Sequence, residues 1–158
     1  MKQFSLVAFS AERRIAAITL FRGTHLGESK IRHLPLDRSK ALGSVRELVT
    51  RNLEHYQPEF VAISWPPAKA GDRIRAFCEV VKEIAGGLGI PSVEVDDATL
   101  MAAYGHPPLT RKEHLRRVGR TIWPGLNDAR SKRATVDAAT AGLYVQTARL
   151  FSLHEVAA

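Results

Sequence analysis

Eight lysines and arginines fall between Gly105 and Arg133: Arg111, Lys112, Arg116, Arg117, Arg120, Arg130, Lys132 and Arg133. Two acids, Glu113 and Asp128, share that stretch, so it holds most of the chain's net charge of +7. Guanidinium forks clustered this tightly suit a polyanion: they meet phosphate oxygens in pairs and keep their charge at any physiological pH. Their spacing adds to the argument. Thr110 followed by Glu113 is a capping-box pattern that opens a helix at Arg111. Leu115, Val118 and Ile122 mark its buried side, while Arg116, Arg117 and Arg120 fall opposite, and Trp123-Pro124-Gly125 ends it. The same arginines can also pair with acidic residues elsewhere on the molecule or form a solvated face.

Other reactive residue types give weaker signals. The histidines at 25, 33, 55, 106, 114 and 154 have no paired metal-ligand spacing. The single cysteine, Cys78, excludes an internal disulfide and lies in an apolar helical pattern, where a buried, inert thiol is expected. Trp65, followed by Pro66 and Pro67, has two readings: an indole that stacks on a base, or a loop residue folded over the core.

The elements that position these residues follow from apolar spacing. Phe4–Ser10 and Arg14–Phe21 read as two strands joined by the short Ala11-Glu12-Arg13 turn. After a turn at Gly23–Gly27, Ser29–Leu36 alternates like a half-exposed strand, with Pro35 near its end. From Ser39, read as an N-cap, Leu42, Val45, Leu48, Val49, Leu53 and Tyr56 trace one helical face up to Pro58. Phe60–Ile63 is a buried strand. Asp72 opens a helix with the stripe Ile74, Phe77, Cys78, Val81 and Ala85, stopped by Gly86, Gly87 and Gly89. Pro91–Val95 is a strand ending at Asp96-Asp97, where Asp97 reads as a helix N-cap. Ser131 opens a long helix to about Leu153, with Ala134, Ala138, Ala141, Val145 and Ala148 in a narrow arc and Gly142 keeping it slim.

The 158 residues suit one domain, 1–158, and 45% apolar content can fill its core. The chain starts without a signal-peptide pattern and carries no membrane-length apolar run, so a soluble cytoplasmic protein without a membrane partner is expected.

Three antiparallel strands followed by two parallel ones through helical crossovers give an α/β fold: a mixed five-stranded sheet flanked by helices, the ribonuclease-H-like plan. Within it, Met101-Ala102-Ala103-Tyr104-Gly105, the Thr110-Arg111-Lys112 helix start, and Val136-Asp137-Ala138-Ala139-Thr140-Ala141 resemble the closing portion of RuvC-like Holliday-junction resolvases. That resemblance implies a nuclease holding two divalent metals with four acids: one ending the first strand, one ending the fourth, and two a turn apart on the last helix. Those places hold Ser10, Ser64, Ala134 and Asp137. One acid of four remains, and hydroxyls and a methyl do not replace carboxylates around a dication.

The resemblance therefore implies a nucleic-acid-binding, RuvC-like protein that has lost metal-dependent cutting. It would grip the phosphate backbone of DNA, branched DNA included, through the eight basic residues, with Trp65 beside the vestigial site at Asp137. No cofactor is expected for that activity. An alternative is an active, structure-selective endonuclease with a rebuilt acidic site, in which Glu12 and Asp97 join Asp137 around magnesium or manganese. Asp137 also reads simply as a carboxylate favoured by a helix N-terminus. A second alternative is an assembly protein whose basic helix meets an acidic partner. A homodimer is expected by analogy with the resolvases.

Overall fold

The computed structural model describes residues 4–23, 25–104 and 133–157, so the Arg111–Ile122 helix and seven of the eight basic residues lie outside the described residues. Five strands form one sheet: β1 (Leu6–Glu12), β2 (Ile15–Arg22), β3 (His25–His33), β4 (Phe60–Ser64) and β5 (Ser92–Val95). Their spatial order is β3-β2-β1-β4-β5. The pairs β1–β2 and β2–β3 are antiparallel, while β1–β4 and β4–β5 are parallel. This is the expected meander followed by two parallel strands.

Alternation along each strand decides which helix it meets. Val7 and Phe9 of β1 and Val61 and Ile63 of β4 face α1 (Arg38–Tyr56) and α2 (Asp72–Gly87), packing with Val45, Val49, Phe77 and Val81. Leu6, Ala8 and Ala62 face the other way. They pack with Leu100 of α3 (Asp97–Tyr104) and with Val136, Ala138, Ala139 and Ala141 of α4 (Arg133–Ala157). Both faces are covered, which is why β1 and β4 read as unbroken apolar runs.

Small side chains let α4 approach closely. A Cβ on Gly142 would run into the Phe21 ring on β2, 3.0 Å from two ring carbons and nearer still to a third. Gln146 anchors the same helix by donating to the Ser5 hydroxyl at 2.7 Å, and that hydroxyl in turn bonds the Phe21 carbonyl. Of the expected arc, Ala134, Ala138, Ala141 and Val145 are buried, whereas Ala148 is exposed.

Several sequence expectations are corrected. The third strand begins at His25 rather than Ser29, because Gly27 lies in the strand and not in a turn. A Cβ there would come 2.7 Å from the Phe4 ring, so this glycine marks a close approach. Pro35 falls past the strand's end. Asp37, not Ser39, caps α1, accepting from the Lys40 N–H at 2.9 Å. Asp72 lies inside the first turn of α2, with Gly71 as its cap. Asp96 takes the cap role read for Asp97, accepting from the Thr99 N–H at 2.7 Å.

Candidate functional site

The last printed partners in the parallel β1–β4 register are Phe9 and Ile63, and Ser10 and Ser64 come one residue later on each strand. Alternation turns both serines away from the α1–α2 core and toward α4. Both are buried. Glu12, two residues beyond Ser10, shares that face at the end of β1. Asp137 on α4 is buried as well, at 7% exposure. Ser10, Glu12, Ser64 and Asp137 together line one cleft of about 160 Å³, with Ala11, Trp65, Pro66, Pro67, Ala70 and Ile74 completing its walls.

The carboxyl-terminal edge of a parallel strand pair thus gathers residues that are far apart in sequence, as open α/β sheets do at their functional edge. Ala134 lies one helical turn before Asp137 and is fully buried. Asp97 begins α3 and is not among the residues lining the cleft. Of the two acids weighed as additions to Asp137, Glu12 shares its cleft. Among the described residues, no group of three or more histidine, cysteine, aspartate or glutamate side chains could hold a metal ion.

Trp65 is half-buried and packs against the α1–α2 core while also lining the cleft. Its backbone N–H donates to the Val95 carbonyl at 2.8 Å, continuing the β4–β5 pairing past Ser64. Lys82 of α2 lies 5.9 Å from the indole centroid and donates to Glu94 of β5 at 2.7 Å. That hydrogen bond, with the charge of Glu94, holds the Lys82 pKa above its ordinary value.

Arg73 is a residue that sequence reasoning missed. From the first turn of α2 it donates to three carbonyls: Arg13 in the β1–β2 turn at 2.9 Å, Pro35 at 2.6 Å and Leu36 at 3.0 Å. Its guanidinium also lies 5.2 Å from the Phe77 ring centroid. One side chain thereby ties the turn after Glu12 to the helix that supplies Ile74. An isolated arginine outside the basic cluster gives no sequence signal of this role. Ile74 was legible only as core, and its part in the cleft follows from its place at the helix start.

Behind the cleft, Cys78 packs under β4 with its thiol 3.8 Å from the Ser64 carbonyl. Burial, reinforced by Glu79 and Glu94, pushes its pKa up to about 12, so it is the inert thiol expected. His25 and His33 lie at the ends of β3, and His55 packs edge-on to Tyr56 with ring centroids 4.6 Å apart. His106 and His114 lie outside the described residues. Arg133, the one described member of the basic cluster, is exposed at the start of α4. No helix among the described residues is long and apolar enough to cross a membrane.

Strand order, the helices on both faces and the cleft at the β1–β4 edge define a ribonuclease-H-like fold of the RuvC type. Thermus thermophilus RuvC matches with a TM-score of 0.71 at 18% identity, covering 92% of this chain and 95% of that one. T. thermophilus RuvC in complex with a Holliday-junction substrate also matches at 0.71, with 16% identity over 92% of this chain and 94% of that one. The yeast mitochondrial Holliday-junction resolvase Ydc2 matches at 0.61, with 8% identity over 94% and 81% of the two chains. Neither a protein-family model nor a curated protein matches the sequence.

Proposed function

We propose that this chain binds nucleic acid through its basic surplus, with DNA as the favoured partner, and lacks metal-dependent cutting. The observation that supports this most directly is the chemistry of the strand-end pair. Ser10 and Ser64 occupy the two places where the resolvase resemblance calls for carboxylates, and both face α4 beside Asp137. Two neutral hydroxyls, the Ala134 methyl and one buried aspartate do not fit a two-metal centre, which needs several anionic oxygens to offset two dications. No catalytic step through a metal is therefore derived. The resolvase-like structures, one of them in complex with a Holliday junction, support nucleic acid as the partner.

Binding would rest on the lysines and arginines between Arg111 and Arg133 meeting backbone phosphates. Such contacts give steep salt dependence and little sequence preference, and shape becomes the readout. The test is a titration of four-way junction, duplex and single-stranded DNA across a salt series, paired with incubation in magnesium or manganese. Junction binding that weakens steeply with salt, without cleavage, is the expected result. Cleavage that disappears in Asp137→Ala would overturn the non-cutting half of the reading. No binding to any nucleic acid at low salt would overturn the whole.

A further inference from the structure

The cleft between β1, β4 and α4 pairs a carboxylate-bearing floor with an apolar wall, in a protein whose charge is otherwise basic. Glu12 and Asp137 supply acceptors, Ser10 and Ser64 supply hydroxyls, and Trp65 with Ile74 supplies apolar surface. Two carboxylates repel phosphate, so the backbone is not what enters. At about 160 Å³ the space is roughly half the ~300 Å³ at which ordinary small-molecule pockets begin, which suits one flat ring system and no attached nucleotide.

A carboxylate only accepts hydrogen bonds, so a ligand facing two of them must bring donors side by side. Guanine alone among the bases presents a ring N–H next to an exocyclic amino group on one edge. Adenine and cytosine set their amino group beside an acceptor, and thymine offers a single N–H. We propose that this cleft takes one unpaired guanine, its N1–H and N2 amino edge on the cleft's carboxylates and its ring against the apolar wall. The inference rests on the reading that the chain binds nucleic acid, and it names what that site reads beyond the backbone. Taking up an already unpaired base avoids the cost of unstacking a paired one.

The experiment titrates the full chain, at fixed salt, with DNA hairpins carrying a one-base bulge of guanine or of inosine. Inosine keeps the ring N–H and lacks the amino group. The expected result is a preference for guanine of about tenfold, the scale of one bidentate base contact, with quenching of Trp65 fluorescence. In Glu12→Gln and in Asp137→Asn, where an amide replaces an acceptor oxygen with a donor, the guanine-to-inosine ratio is expected to fall toward one. Equal affinity of the unaltered chain for both hairpins would overturn the guanine pocket and leave backbone binding standing. No affinity for either hairpin would overturn both.

Discussion

Ser10 and Ser64 stand next to each other at the ends of two parallel strands, both buried and both turned toward the helix that carries Asp137. Placing carboxylates there, in the double variant Ser10→Asp/Ser64→Glu, would bury two like charges close together. Each raises the other's pKa and burial raises both, so the native state holds its protons more tightly than the unfolded chain. Stability is then present below the ordinary carboxylate range and lost as pH rises through the raised native values. The double variant is expected to melt lower at pH 7.5 than at pH 5 in chelator. Magnesium is expected to raise its Tm and leave that of the unaltered chain unchanged. Thermal denaturation at the two pH values, with and without magnesium, measures this.

Arg73 offers a second test, because one guanidinium satisfies three carbonyls on two separate connections. Hydrogen bonds to a charged donor contribute about 1.5–3 kcal/mol when buried. These are solvent-exposed, so Arg73→Met is expected to cost about 1–2 kcal/mol in all. Arg73→Lys should recover only part of the loss, since an ammonium lacks the planar fork that spans separated acceptors. Urea denaturation of the three proteins checks the order. Faster hydrogen exchange at the Ala11–Arg14 turn in the methionine variant would confirm that the side chain holds the rim of the cleft.

Much of this architecture is legible in the sequence, and the places where it is not have physical causes. The stripes of α1 and α2 follow from helical spacing, and the meander follows from apolar runs broken by short polar turns. The runs in β1 and β4 cannot say which residue faces which helix, because both faces are buried. The cleft therefore becomes visible only once the register sets Phe9 beside Ile63. Gly27 misleads because glycine marks turns and close approaches alike, and here the Phe4 ring requires it. Asp37 and Ser39, like Asp96 and Asp97, are pairs of cap-competent residues within two positions of each other, and local sequence does not choose between them. Glu12 joins Asp137 in the cleft and Asp97 does not, a distinction that depends on where β5 hands over to α3.

Close packing of Gly142 on Phe21 gives a third prediction. Gly142→Ala must push a methyl into a fully buried ring and is expected to cost about 1–3 kcal/mol by overpacking, despite alanine's better helix propensity. Adding Phe21→Leu should relieve the clash, so the double variant loses less than the two single losses combined. A double-mutant cycle by chemical denaturation supplies the coupling. Strict additivity would show that α4 shifts to make room and that small side chains are not what sets its distance from β2.

Asp96 gives a prediction with a pH sign. The Thr99 hydrogen bonds hold its carboxyl below the ordinary carboxylate value, so the native state binds its proton less readily than the unfolded chain. Its contribution is present above the ordinary value near 4 and is lost as pH falls through the lowered native one. Asp96→Asn keeps a capping oxygen without titrating. The unaltered chain should therefore lose stability relative to Asp96→Asn as pH drops from about 5 to 3. Asp96→Ala should be less stable than both at pH 7, by a few tenths of a kcal/mol to about 1 kcal/mol given the exposure of the site.

Cys78 reports on the floor of the cleft without belonging to it. Its pKa of about 12 leaves a thiolate fraction on the order of one part in ten thousand at pH 8, and the side chain is fully buried. In the native protein a disulfide reagent should react only through opening, at a rate set by the unfolding equilibrium. Because the native thiol holds its proton more tightly than the unfolded one, stability is full below about pH 9 and declines as pH climbs toward 12. Cys78→Ala should remove that alkaline decline while costing about 1 kcal/mol or more at pH 7 through the cavity left under Ser64. Rapid native labelling at pH 8, faster than global unfolding measured under the same conditions, would show that the β4–α2 seam opens locally.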